Sequence, residues 1–167
     1  GPADARLIEI AIDPGRTFGS GSHASTRLAL TLLSRYVAHT RSAPTSVLDV
    51  GTGSGVLAIA AAKLGADTAV GIDIDQQSPA VGAANAQLNG VGNRLAILNV
   101  PLGSIDGRFD LVIANILAPV LVELAPELVE KMAPNGRLVL AGFLAEQEDL
   151  VLQAFPGLCV VDRSEEL

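Results

Sequence analysis

The chain has 167 residues, 49% of them hydrophobic and only 17% charged, which excludes disorder and fits one domain, residues 1–167, with a sizeable core. A formal net charge of −7 with no Lys/Arg cluster excludes tight sequence-independent binding to nucleic acid and favours a cationic partner such as a lysine-rich protein. No apolar run reaches the roughly 18 residues of a membrane span, and one cysteine with two histidines argues against an internal disulfide or a metal centre; a cytoplasmic protein is expected.

Gly1-Pro2 reads as a protease-cleavage remnant with no signal peptide behind it. Leu7-Ile8-Glu9-Ile10-Ala11-Ile12 has isoleucine at every second position, the pattern of a half-buried strand. Asp13-Pro14-Gly15 ends it, and residues 13–26, with glycines at 15, 19 and 21, read as a mobile lid loop. Ser25 or Thr26 is suited to cap a helix over 26–39, with Leu28, Leu32 and Tyr36 on one face.

Strands and helices then alternate. A short buried strand at 47–50 runs into Gly51-Thr52-Gly53-Ser54-Gly55 and a helix beginning at Val56. A second strand covers 68–73, and Ser78-Pro79 opens a helix that Asn89-Gly90 stops. Strands follow at 95–100 and 109–114, then a helix at about 119–132 with Leu121, Leu124 and Leu128 on one face. Pro134-Asn135-Gly136 turns into a strand at 137–141, and a helix at 145–154 and a strand at 158–162 end the chain. From 47 onward this gives six nearly continuous apolar strands separated by helices, which predicts an α/β fold with a doubly wound, mostly parallel sheet. Such sheets bind ligands beyond the carboxyl ends of their strands, where Asp49, Asp73 and Asn115 all fall.

A strand feeding a glycine-rich turn into a helix brings backbone close to a nucleoside-type ligand. Spacing decides which one. A dinucleotide site has glycine three positions after the second glycine, and here that residue is Val56. The pattern Asp49-x-Gly51-x-Gly53-x-Gly55 instead resembles the first motif of S-adenosyl-L-methionine-dependent methyltransferases. Gly51 and Gly53 then admit the ligand, Gly55 permits close helix packing, and Asp49 either helps hold the ligand's amino-acid end or shapes the turn. Asp73 stands 22 residues after Gly51, where a carboxylate accepts hydrogen bonds from both ribose hydroxyls; Asp75 reads as a helix cap or a solvated residue. Asn115 positions a target amine or caps a helix. His23 assists proton removal or is merely exposed, and Thr26 contacts the ligand or caps its helix.

Four segments together resemble one family: Asp13-Pro14-Gly15-x-x-Phe18-Gly19-Ser20-Gly21-Ser22-His23-x-Ser25-Thr26, the Asp49–Gly55 run, Gly71-Ile72-Asp73-Ile74-Asp75, and Ala114-Asn115-Ile116-Leu117-Ala118. It is the family of lysine methyltransferases that modify protein eleven of the large ribosomal subunit. The likeness runs from about residue 8 to 163, with Ser at 20, 22 and 25 where Thr is commoner. It implies a Rossmann-like methyltransferase fold, cofactor contacts at Thr26, Gly51, Asp73 and Asn115, and methyl transfer to amino groups of a ribosomal protein; because the sulfonium of the cofactor is already activated, no metal is expected. The family's amino-terminal substrate-docking domain and the last strand or strands of its sheet are expected to be absent from these 167 residues. A small-molecule N- or O-methyltransferase and an isolated cofactor-binding domain are the alternatives.

Overall fold

A computed structural model of the chain describes residues 7–13, 15 and 23–166. Gly1-Pro2 and most of the expected lid, including Phe18 to Ser22, lie outside the described residues. The elements are α1 (Ala24–Thr40), β1 (Ser46–Val50), α2 (Val56–Lys63), β2 (Thr68–Ile72), α3 (Ser78–Leu88), β3 (Leu95–Leu98), β4 (Phe109–Asn115), α4 (Ala118–Glu130), β5 (Met132–Ala141) and α5 (Glu148–Gln153). The five strands form one sheet in the order β3-β2-β1-β4-β5, with every neighbouring pair parallel.

Both faces of this sheet are covered, which is why its strands are apolar throughout rather than alternating. Val47, Leu111 and Ile113 face a layer containing Ala29 and Leu33 of α1 and most of α2. Leu48, Val50, Val112 and Ala114 face the other way, onto Leu121, Ala125 and Leu128 of α4 and Val151 of α5. Residues 56–62 of α2 are buried on all sides, and alanine at four of these seven positions lets neighbouring backbones approach closely. The order reverses at β1: β2 and β3 lie to one side, β4 and β5 to the other. A crevice opens at such a point beyond the carboxyl ends.

Several expectations need correction. Residues 7–12 form no strand. Ile10 and Ile12 pack, partly buried, against Ile59, Ala62, Ala86 and Val91 of the helical layer, while Ile8 is 47% exposed, so only part of the alternation reports burial, and against helices instead of a sheet. Among the described residues 158–162 also lack a strand, leaving five where six were expected. Helix α1 buries Thr26, Ala29 and Leu33, while Leu28, Leu32 and Tyr36 sit half-buried on the flank. Its N-cap is His23, without a side-chain capping bond, so neither Ser25 nor Thr26 serves as the cap. Strand β5 begins at Met132: Phe109 pairs with Met132 and Leu111 with Arg137, so Pro134-Asn135-Gly136 form a bulge inside the strand. The expected helix at 145–154 divides into a 3-10 turn, Ala145–Gln147, and α5.

Candidate functional site

The site is built where β1, β2 and β4 end side by side. Val50 of β1 is in register with Ile72 of β2 and Ala114 of β4, so Asp73 and Asn115 each follow directly on a residue paired with the end of β1. The amides of Gly51 and Thr52 both donate to the Ile72 carbonyl, at 2.9 and 3.0 Å, which staples the turn to β2. Gly51, Gly53 and Gly55 have φ of 75°, 55° and 86°, left-handed values that favour glycine. A Cβ on Gly51 would come within 2.4 Å of Ile116 Cγ2, so the turn also lies tight against the segment leaving β4. Gly55 brings α2 close to α3, its position for a Cβ lying 3.4 Å from the Gly82 Cα.

Asp73 faces the turn directly. Its Oδ2 accepts from the Gly53 amide at 2.8 Å, and its Oδ1 accepts from the Asp75 amide at 2.9 Å. The Asn99 side chain donates to the Asp73 carbonyl at 2.9 Å. These bonds fix the carboxylate half-exposed at the end of β2, with lone pairs remaining on both oxygens. Asp75 accepts from the Gln77 amide at 2.9 Å, in the turn that leads into α3.

Asp49 is 1% exposed. Its Oδ2 accepts from the Thr52 hydroxyl at 2.7 Å, while its Oδ1 has no hydrogen-bond partner among the described residues. Burial pushes its carboxyl up from 3.8 to about 7; the Thr52 hydroxyl and Ala58 amide pull it back, and the charge of Asp73 pushes it further up. A buried acid with one oxygen unpartnered suits a cationic donor group.

Asn115 ends β4, and its Nδ2 donates to the Thr26 hydroxyl, which is buried, at 3.2 Å. It does not cap α4, whose N-cap is Leu117. His23 stands apart: it is exposed, its Nδ1 lies 2.9 Å from Ser25 Oγ, and its carbonyl accepts from the Arg27 amide at the start of α1. No hydrogen bond among the described residues joins His23 to Asp49, Asp73 or Asn115.

Three contributors escape a reading for glycines and acids. Thr52 is buried inside the turn and supplies the hydroxyl that holds Asp49; its signal is a short polar residue three positions after the acid. Asn85 of α3 and Asn89 at its C-cap, four positions apart, tie this helix to the turn and to residues 11–13; nothing in a nucleotide-type motif marks them. Among the described residues there is no group of three or more His, Cys, Asp or Glu able to hold a metal, and no helix long and apolar enough to cross a membrane.

Comparison with known proteins accords with this geometry. In solved structures, the ribosomal protein L11 methylase of Lactobacillus delbrueckii subsp. bulgaricus superposes with a TM-score of 0.78 at 37% identity, covering 91% of this chain and 78% of that one. An RNA methyltransferase from Salinibacter ruber, solved in complex with S-adenosyl-L-homocysteine, gives a TM-score of 0.59 at 26% identity over 68% of this chain and 76% of that one. The sheet and its helices are therefore the Rossmann-like methyltransferase fold. The ribosomal protein L11 methyltransferase of Syntrophotalea carbinolica is 51% identical over 93% of this chain. That match takes in 50% of the relative, so the chain spans about half the length of the curated relatives it matches. A family model described as Ribosomal protein L11 methyltransferase (PrmA) matches residues 2–164, and the chain belongs to that family.

Proposed function

We propose that this chain binds S-adenosyl-L-methionine and serves a methyltransferase that modifies amino groups of a protein, the large-subunit ribosomal protein L11 being the substrate its relatives' names suggest. The observation that carries the reading is the meeting of Asp49, Asp73 and Asn115 around one glycine turn at the ends of three adjacent strands. The residues fit the cofactor: a half-exposed carboxylate suits ribose hydroxyls, the glycine turn admits a nucleoside, and the orphaned Asp49 Oδ1 suits an ammonium. Asp73 would hold the ribose, Gly51 and Gly53 the backbone-contacted part, Asp49 the amino-acid end, and Thr26 with Asn115 the edge nearest the acceptor. When bound, the cofactor supplies an activated methyl group on a sulfonium.

The remaining chemistry is orientation. A lysine amine with an ordinary pKa near 10.4 must be neutral to react. Donation from Asn115 Nδ2 to Thr26 turns the other end of the amide, an acceptor oxygen, free to receive an amine N–H. That bond aims the nitrogen lone pair, and alignment of this kind supplies several kcal/mol, up to about 7–11 in favourable cases. His23 is a second candidate for removing the proton; it is exposed, with its Nδ1 2.9 Å from Ser25 Oγ.

Calorimetric titration with S-adenosyl-L-methionine and with NAD tests the cofactor assignment, which fails if NAD binds more tightly or the first gives no heat. Mass spectrometry of L11 after incubation with chain and cofactor tests the substrate. Cofactor binding without methylation of L11 favours an isolated cofactor-binding unit.

A further inference from the structure

The stretch before Asp13 is held by side-chain amides rather than by a neighbouring strand. Asn89 Oδ1 accepts from the Ala11 amide at 2.9 Å and its Nδ2 donates to the Ala11 carbonyl at 2.7 Å. Asn85 repeats this two residues on, accepting from the Asp13 amide at 2.9 Å and donating to the Asp13 carbonyl at 2.8 Å. Each asparagine thus presents one acceptor and one donor to one residue, as a strand edge would. Lys63 donates to the Glu9 carbonyl, extending the series to residues 9, 11 and 13.

The two spacings match. Four residues of α-helix rise about 6.0 Å, and two residues of extended chain about 6.6 Å. Asn85 and the C-cap Asn89, four apart at the end of α3, therefore meet backbone amides two apart on the segment, and a slip by one residue would turn Ile10 and Ile12 out of their apolar cluster.

Asn89 Nδ2 also donates to the Asn85 carbonyl, within the same helix end, whereas Asn85 reaches the turn. The second hydrogen of its Nδ2 goes to the Ser54 carbonyl at 2.9 Å, inside the glycine turn. With 1% of its surface exposed, it has both donor hydrogens committed, one to the turn and one to Asp13. We infer that Asn85 is a positioning residue that couples the glycine turn to Asp13, so that an occupied turn tightens the hold on Asp13, while Asn89 sets only the register at Ala11.

Residue-resolved amide hydrogen exchange tests this on the full chain, Asn85→Ala and Asn89→Ala. Without ligand, Asn85→Ala should speed exchange at both Asp13 and Gly53 by tenfold or more, and Asn89→Ala at Ala11 alone. With saturating S-adenosyl-L-homocysteine, an arm that rests on the proposed cofactor, exchange at Asp13 should slow in the native chain and in Asn89→Ala. In Asn85→Ala only Gly53 should respond. An Asp13 that slows as much in Asn85→Ala as in the native chain overturns the coupling. Loss of protection throughout β1 and β4 in Asn85→Ala overturns it as well, making the residue a determinant of the fold. If no amide responds to ligand in the native chain, the cofactor reading fails, and the ligand-free pattern at Asp13 and Gly53 decides the coupling by itself.

Discussion

Asn115, at the end of β4, donates its side-chain amide across 3.2 Å to the hydroxyl of Thr26, 89 positions earlier in the chain. The bond orients an amide that would otherwise be free to flip, and joins the end of β4 to the first turn of α1. Asn115→Ala should lower kcat roughly a hundredfold and cofactor affinity much less, because it removes more alignment than binding. Thr26→Val, which keeps the volume and deletes the hydroxyl, should cost roughly three- to tenfold, the worth of one ordinary hydrogen bond. Steady-state kinetics beside calorimetric affinities measure both; equal losses in kcat and affinity for Asn115→Ala would remove its assigned role.

Asp73 should behave in the opposite way. Its carboxylate accepts from the Gly53 amide and faces outward at the end of β2. Asp73→Ala should weaken cofactor binding roughly ten- to a hundredfold, as expected for bonds to a charged acceptor, and leave turnover at saturation nearly intact. Asp73→Asn, which keeps one acceptor oxygen, should fall between. A variant that binds normally but turns over slowly would contradict the ribose assignment.

The parts that could be read from sequence are those in which neighbours in the chain are also neighbours in space. Asp49, the glycines and α2 form one strand–turn–helix unit, and the even spacing of those glycines follows from three left-handed residues in a single turn. The segment 7–12 was legible only in part. Ile10 and Ile12 record a partly buried face that Ile8 does not share, and alternation cannot say whether the partner of the backbone is a strand or a pair of asparagines 72 and 78 positions away. Thr26 and Asn115 were found separately, but their contact depends on how α1 crosses the end of β4. No local pattern encodes that crossing.

Packing beneath the site predicts a separable effect of two glycines. A Cβ on Gly71 would lie 2.6 Å from both Thr52 Oγ1 and Ile97 Cδ1, while one on Gly82 would lie 2.6 Å from Ile97 Cγ1 without meeting Thr52. Both Gly71→Ala and Gly82→Ala should lose about 1–3 kcal/mol of stability through overpacking, measured by denaturant unfolding. Only Gly71→Ala should also push Thr52 off Asp49 and raise the Asp49 pKa further, since it removes a bond that favours the carboxylate. Identical titration of Asp49 in the two variants would show that Thr52 is not displaced.

Asp49 itself predicts a pH dependence with a defined sign. Its carboxyl titrates at about 7 in the folded chain against 3.8 as its ordinary value. Between these values the folded state keeps a proton that the unfolded state has released, so this group's contribution to stability falls as pH rises from about 4 to 7. Asp49→Asn should flatten that slope in urea unfolding at pH 5, 6 and 7. Ligand binding should show the reverse trend. A cationic amine beside Asp49 Oδ1 favours the carboxylate, so binding releases a proton, and cofactor affinity should rise by up to about tenfold per pH unit until about pH 7. It should fall again above about pH 8, where an α-amino group loses its own charge. Asp49→Asn should bind weakly with no rise between pH 5 and 7; an undiminished rise in that variant would assign the proton to another group.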